Sequence, residues 1–231
     1  MDLSTYRDRP HWSYSSLNQL LNICSLQWMF EKIERRPKPF TPIALAFGSV
    51  YHRVMEFIAL NRLEQKLPTE EQTRDLFCDL WQREQQEGPP LEKDEEMTPE
   101  QIGKQGSELV VAYLKQLDPK ERVISMNEVF AVPLGESDRP LIGEIDCVVE
   151  ADDGRTMVDW KTAGRRWPKD QADKSLQPTV YLYAHRQLHP AESLPFRFDV
   201  AVKNKTPVVE RNLTSRTSDD FRRLECLVGK A

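Results

Sequence analysis

Cysteine is scarce and scattered in this sequence. Cys24, Cys78, Cys147 and Cys226 each stand more than fifty residues from the next, and no two form a CxxC pair. That spacing excludes a zinc knuckle. A chain of 231 residues also buries enough core to fold without disulfide or metal staples. The four thiols are expected to be reduced and mostly in apolar surroundings. Unbroken apolar runs are short, such as residues 109–114, well under the ~18 residues that span a bilayer. Residues 1–10 contain no apolar stretch of the kind a secretory signal carries. No internal repeat is visible. A cytoplasmic protein without membrane association is expected.

An overall basic charge is missing too. Lys and Arg number 32 against 37 Asp and Glu, for a net charge of -5 and a pI near 5.5. A surface that coats nucleic acid throughout is thereby excluded. The charge is uneven, however. Residues 84–100 hold seven acids against one base, so this segment alone carries -6 and the rest of the chain about +1. Basic clusters stand at Arg35-Arg36-x-Lys38, Arg165-Arg166-x-x-Lys169 and Lys203-x-Lys205. An acidic total leaves room for a local basic groove.

With 39% apolar and 9% aromatic residues, the chain reads as globular and rather polar, with a mean hydropathy of -0.61. Its first half has helical periodicity. Ser15 or Ser16 can cap a first helix, with Gln19 completing a capping box, and Leu17, Leu20, Leu21, Cys24, Trp28 and Ile33 form its stripe. A second helix over 44–63 carries Phe47, Val50, Tyr51, Val54, Phe57 and Ile58. A third covers 69–86 and leads into an acidic loop around Gly88-Pro89-Pro90, read as mobile. A fourth starts at Thr98, with Pro99 in its first turn and Gln101 in a capping box. After Asp118-Pro119 the period changes from 3.6 to 2. Strands are expected over 123–134, 141–151 and 155–162, the last two joined by a tight Asp152-Asp153-Gly154 turn. A helix over 170–188, strands over 196–203 and 207–213, and a last helix from Ser218 complete the order. This order predicts an α/β fold: a mixed sheet flanked by helices, with a helical N-terminal part.

Chemistry concentrates in the second hairpin. One strand reads Gly143-Glu144-Ile145-Asp146, the next Val158-Asp159-Trp160-Lys161-Thr162. Strand alternation puts Asp159 and Lys161 on one face and Trp160 on the other. Glu144 and Asp146 likewise share a face. The turn brings two carboxylates and an ammonium toward one end of the sheet. A divalent cation such as Mg²⁺ takes hard oxygen ligands of this kind. It acidifies a bound water and offsets charge on phosphoryl oxygens, while a nearby lysine stabilises the transition state. An isolated Asp-x-Lys is frequent by chance as an exposed charge pair. Its company is more informative. His52 and Glu56 share one face of the second helix, with Gly48 and Ser49 permitting close approach. Gln177 and Tyr181 are spaced i,i+4 on a later helix.

In this order, Gly48-Ser49-Val50-Tyr51-His52, Gly143-Glu144-Ile145-Asp146, Val158-Asp159-Trp160-Lys161-Thr162 and Gln177-x-x-x-Tyr181 resemble the PD-(D/E)XK nucleases, in their RecB-like exonuclease branch. The segment from Tyr14 to Cys24 resembles that branch's opening helix, and the segment from Val200 to Pro207 a late strand of its members. The likeness spans residues 13 to about 211. It implies a restriction-endonuclease-like fold in one domain over 1–231, with a helical part over 13–118, a catalytic sheet core over 122–213 and the acidic loop over 84–100. It implies His52, Asp146, Asp159 and the backbone carbonyl of Trp160 as ligands of Mg²⁺ or Mn²⁺. Lys161 would be the catalytic lysine, and Gln177 and Tyr181 would assist DNA binding and geometry. Glu128 falls where relatives often carry a glutamate. Many members with a cysteine like Cys24 add three clustered cysteines near the C-terminus, and the four hold a [4Fe-4S] cluster. Here only Cys226 follows the last strand, so no iron-sulfur cluster is expected in this chain.

The expected activity is metal-dependent hydrolysis of phosphodiester bonds in DNA, as an exonuclease in DNA repair, recombination or phage DNA metabolism. The alternative is a non-catalytic nuclease-fold DNA-binding or scaffold subunit of a helicase or recombinase complex. Degenerate relatives usually lose an acid or the lysine, and this chain keeps both. Arg165, Arg166 and Lys169, just after the catalytic strand, are the expected phosphate contacts.

Overall fold

In a computed structural model of the chain, residues 3–92 and 97–229 are described. A short α1 (Ser4–Arg7) precedes α2 (Tyr14–Asn18). The cap of α2 is Ser13 rather than Ser15 or Ser16: its hydroxyl accepts the Ser16 N–H at 3.2 Å. The expected single helix is also broken. It widens into a π-helical turn over Gln19–Ile23 and stops at Cys24, whose backbone is extended. It restarts as α3 (Ser25–Trp28) and widens again over Met29–Ile33. Each widening rotates the stripe, so Leu17 is buried while Leu21 and Ile33 face outward.

The next three helices follow the expected periodicity closely. They are α4 (Ile43–Leu63), α5 (Glu70–Glu87) and α6 (Pro99–Lys115). Thr69 and Thr98 close complete capping boxes with Gln72 and Gln101. Gly103 and Gly106 let α6 approach α5 closely, since a Cβ at either position would strike Trp81 or Phe77. Glu84 and Glu87 belong to α5 and Glu100 to α6, so the acidic segment is less of a loop than its composition predicts. Leu91 is pinned to Thr41 by a bridge, and residues 93–96 of that segment lie outside the described residues.

Five strands form one mixed sheet in the order β1-β2-β3-β4-β5. They are β1 (Arg122–Val132), β2 (Leu141–Ala151), β3 (Gly154–Ala163), β4 (Phe196–Val202) and β5 (Val208–Thr214). The first three make an antiparallel meander, β3 and β4 run parallel, and β5 returns antiparallel. Gly154, at φ +118, closes the β2–β3 turn. The β3–β4 crossover holds α7 (Gln171–Lys174) and α8 (Leu176–Leu188), split at Ser175 where one helix was expected. The chain continues through α9 (Ser218–Val228).

The sheet separates two apolar cores. On one face Cys147, Val149, Val158 and Trp160 pack against α4, α5 and α6. On the other, Met157, Phe196, Phe198 and Val200 pack against α2, α8 and α9. The central helix α4 is, among the described residues, the one long and apolar enough by composition to cross a membrane. Here Phe47, Val50, Tyr51, Val54 and Ile58 bury against the sheet and its neighbours. The cysteines depart from expectation: Cys147 is buried, whereas Cys24, Cys78 and Cys226 are exposed.

Candidate active site

The β2–β3 ladder begins at the Gly154 turn and ends at the pair Cys147–Val158. One residue further, the strands part. There the carboxylate of Asp146 takes the place of a main-chain partner, and its Oδ2 accepts the Trp160 N–H at 3.2 Å. Across β2 from Asp146, between the pairs Met126–Cys147 and Glu128–Ile145, Asn127 adopts φ +52. Asparagine tolerates this left-handed conformation better than most residues. The split in the sheet is what opens the site.

The strand β3 then divides its residues between the two faces. Trp160 turns toward α6, where its indole N–H donates to the Tyr113 hydroxyl at 2.9 Å. That hydroxyl donates to Asp199 at 3.3 Å, and Arg197 binds the same carboxylate. This buried chain anchors β3 from behind. Asp159 and Lys161 turn to the α8 side. Asp159 is only 3% exposed. The Gln177 side-chain amide donates to its Oδ1, and Lys161 Nζ lies 2.5 Å from its Oδ2. Gln177 sits in the first turn of α8 because Ser175 caps that helix, accepting the Gln177 N–H at 3.3 Å. The other amide atom, Gln177 Oε1, is buried with no hydrogen-bond partner among the described residues. One turn on, Tyr181 packs edge-on against Phe130, Phe196 and Tyr14.

From the opposite layer, α4 presents His52. Its Nδ1 is 3.4 Å from Asp146 Oδ2, and its ring stands edge-on to Trp160. His52 therefore reaches into the site rather than lying on the surface. Glu56, one turn further along α4, lines the same cavity of about 570 Å³ as Asp146, Glu144, Asn127 and Tyr181.

The electrostatics record a crowd of carboxylates. Burial pushes Asp146 well above the usual carboxylate range, and the charge of Asp159 adds to the effect. Glu56 is raised by burial and then by Glu144. Burial lowers His52, more than Asp159 raises it, which favours the neutral imidazole. Lys161 goes the other way. Burial alone would lower it, but the charge of Asp159 and their hydrogen bond hold it above the ordinary lysine value. It is a cation in this site. Burial also raises Tyr181, so its hydroxyl keeps its proton.

Two acids, a neutral imidazole and a main-chain carbonyl beside the split strand suit a hard divalent cation, because Asp146 and Asp159 repel each other without one. Among the described residues no three His, Cys, Asp or Glu side chains already stand at ligating positions. Both oxygens of Asp159 are engaged, by the Lys161 ammonium and the Gln177 amide.

The sequence-based candidates are thus distributed unevenly. Asp146, Asp159, Lys161, His52, Gln177 and the Trp160 backbone converge, with Tyr181 and Glu56 at the cavity wall. Glu128 instead acts electrostatically on His185 of α8. Arg165, Arg166 and Lys169 lie on an exposed loop after β3, where Arg166 pairs with Glu210 of β5 at 2.8 Å. Three neighbours of the site carry no chemical signal in the sequence. Asn127 stands alone in a strand, and Tyr113 reads as one residue of the apolar stripe of the fourth helix. Tyr14, within the opening-helix likeness, is raised by burial and feels both Lys161 and Asp159.

A split antiparallel meander, a parallel fourth strand and helices on both faces, with Asp-x-Lys at the split, define a nuclease-type core. A model of the PD-(D/E)XK nuclease superfamily matches residues 11–229, and the chain belongs to that superfamily. No curated protein matches the sequence. Among solved structures, a candidate exonuclease from Eubacterium rectale is similar over 95% of this chain and 77% of its own, with 17% identity and a TM-score of 0.53. That likeness is one of fold, and the fold is restriction-endonuclease-like. A second structure, SSO0001, aligns with 88% of this chain and 84% of its own at 11% identity and a TM-score of 0.30.

Proposed function

We propose that this chain is a divalent-metal-dependent deoxyribonuclease of the RecB-like branch, acting as an exonuclease. The observation that carries this reading is the meeting of Asp159 and Lys161 from β3 with Asp146 at the split in the sheet. The name of the Eubacterium rectale protein supports the exonuclease part. So does the position of Asp146, which lines a cavity together with Glu56 and Glu144 rather than a flat face. A cavity suits a strand end better than the middle of a duplex.

Asp146, Asp159, His52 and the Trp160 carbonyl would hold Mg²⁺ or Mn²⁺. The bound ion supplies an acidified water and charge neutralisation at the phosphoryl oxygens. The chain's own groups do the rest. Lys161, kept protonated by Asp159, serves as a fixed positive charge beside the attacked phosphate, not as a base. Gln177 fixes the rotamer of Asp159. Tyr181, kept neutral by burial, can donate a hydrogen bond to a phosphate oxygen while its ring excludes water. Neutral His52 presents a lone pair instead of a competing cation.

The test is degradation of end-labelled DNA by the purified full chain. Activity is expected with Mg²⁺ or Mn²⁺, to stop with EDTA and to return on adding the cation back. The His52→Ala variant should require a higher cation concentration. A chain that binds DNA but degrades none with any divalent cation would overturn the reading in favour of a non-catalytic module.

A further inference from the structure

The cavity that holds Asp146 does not end there. Its far wall is formed by Arg7, His11 and Lys32. The same three residues line a second cavity of about 430 Å³, which continues past Arg9, Arg35 and Arg139. The two cavities adjoin across these side chains, one at the sheet split and one over the N-terminal helical part, and together they form a trough lined by cations at its far end. The local fold explains the crowding of cations. The extended break at Cys24 turns the chain back, and the π-helical turn over Met29–Ile33 brings Lys32 beside the α1 segment that carries Arg7.

Charge changes sign along this trough. At the sheet end stand Asp146, Glu56 and Glu144. At the far end the acids are Asp8 and Glu31, and Glu31 is engaged by Lys38 at 2.8 Å. Among the described residues, no carboxylate lies within ion-pair distance of Arg7, Arg9, Lys32 or Arg35, and all four side chains are exposed. Uncompensated cations facing one cleft attract a polyanion. The loop of Arg165, Arg166 and Lys169 lines neither cavity, and Arg166 already has Glu210 as partner.

We infer that this trough is the binding track for the phosphate backbone of a single nucleic-acid strand, which it leads to Asp146. Cavities of a few hundred cubic ångströms match a ligand of one or two nucleotides at a time. A duplex, whose major groove alone is about 12 Å wide, needs a broader surface. A positive groove tracking a backbone is how single strands are bound without sequence preference. The direction of the track rests on the nuclease reading above; the trough and its cations do not.

The experiment measures affinity for a fluorescent single-stranded oligonucleotide at several salt concentrations, with EDTA present so that no cleavage intervenes. The variants are Arg7→Gln with Lys32→Gln, and separately Arg35→Asn. Asparagine suits position 35 because Arg35 has φ +51. All three side chains are exposed, and matching thermal melts will show that the variants fold. For single strands each lost phosphate contact flattens the log-log salt slope by about 0.7. The double variant should therefore flatten it by about 1.4 and weaken binding about 10–30-fold at ~0.1 M salt. Arg7→Lys combined with Lys32→Gln should lose only about half as much slope, ~0.7. Duplex binding should change less than single-strand binding.

Unchanged affinity and slope in the trough variants, with a flattened slope for Arg165→Ala plus Arg166→Ala, would overturn the inference. Equal losses for duplex and single strand would overturn its single-strand part. The two readings fail separately. A wild type that binds through the trough but cleaves nothing sinks the nuclease reading alone. A wild type that degrades DNA with unaltered KM in the trough variants sinks the trough alone.

Discussion

Lys161 Nζ rests 2.5 Å from Oδ2 of Asp159, two residues back on the same strand. The contact is a consequence of strand alternation, which stacks the two side chains on the α8 face. It neutralises an almost fully buried carboxylate and keeps the lysine charged. If these residues act as proposed, replacing either with alanine should lower cleavage by ~10² or more, because a metal ligand or a fixed charge beside the phosphate would be lost. Degradation of labelled DNA at near-wild-type rate by either variant would contradict the site.

Gln177 acts on the same carboxylate from α8. Gln177→Ala should leave Asp159 held by Lys161 alone, with its Oδ1 no longer fixed. Loss of such an orienting partner typically costs about 10–100-fold in metal affinity or activity. Isothermal titration with Mn²⁺ and steady-state cleavage rates would both register it. A variant unchanged in both would reduce Gln177 to a packing residue.

Asp146 yields a stability prediction. Burial, then the charge of Asp159, raises its pKa well above the ordinary value of 3.8. In the unfolded chain it loses its proton first, so folding takes up a proton in the interval above 3.8. Stability therefore falls as pH rises through that interval toward the folded pKa. Asp146→Asn removes the charge and keeps an oxygen for the Trp160 N–H. Without divalent cation at neutral pH, the variant should melt higher than wild type, by about 2–4 °C per kcal/mol relieved. Below the ordinary carboxyl pKa the two should melt together. Calorimetry across pH that showed the variant melting lower at neutral pH would refute the electrostatic account.

Behind the site, Tyr113→Phe should leave the Trp160 indole N–H without its acceptor and remove one donor from Asp199. Each unsatisfied buried group costs about 1–3 kcal/mol. Urea unfolding should show that loss with little change in the exposed surface, hence an unaltered m-value. An unchanged midpoint would mean that the chain of hydrogen bonds contributes nothing net.

Gly106→Ala tests the approach of α6 to α5. The added methyl would meet the ring of Phe77, which is fully buried. Overpacking of this kind costs about 1–3 kcal/mol, which outweighs the roughly 0.5–1 kcal/mol of helix propensity gained over glycine. A variant more stable than wild type in thermal melts would show that Phe77 has room to move.

Where local patterns are unambiguous, the elements were legible in the residues. Thr69 and Thr98 with glutamines three residues on set two helix starts. The Asp152-Asp153-Gly154 turn set the register of β2 on β3, and period-2 alternation put Asp159 beside Lys161 and away from Trp160. The sequence by itself determined these because each depends on neighbours within a few residues. Only the tertiary structure decided the rest. Periodicity cannot show that Asn127 takes a left-handed backbone opposite Asp146, that the β2–β3 ladder stops at Cys147–Val158, or that α4 turns His52 inward. Nor can it foresee that a helix breaks at Cys24, setting Lys32 beside Arg7, or that Arg166 is claimed by Glu210. Those outcomes depend on contacts between groups far apart in the chain, where packing outweighs local preference.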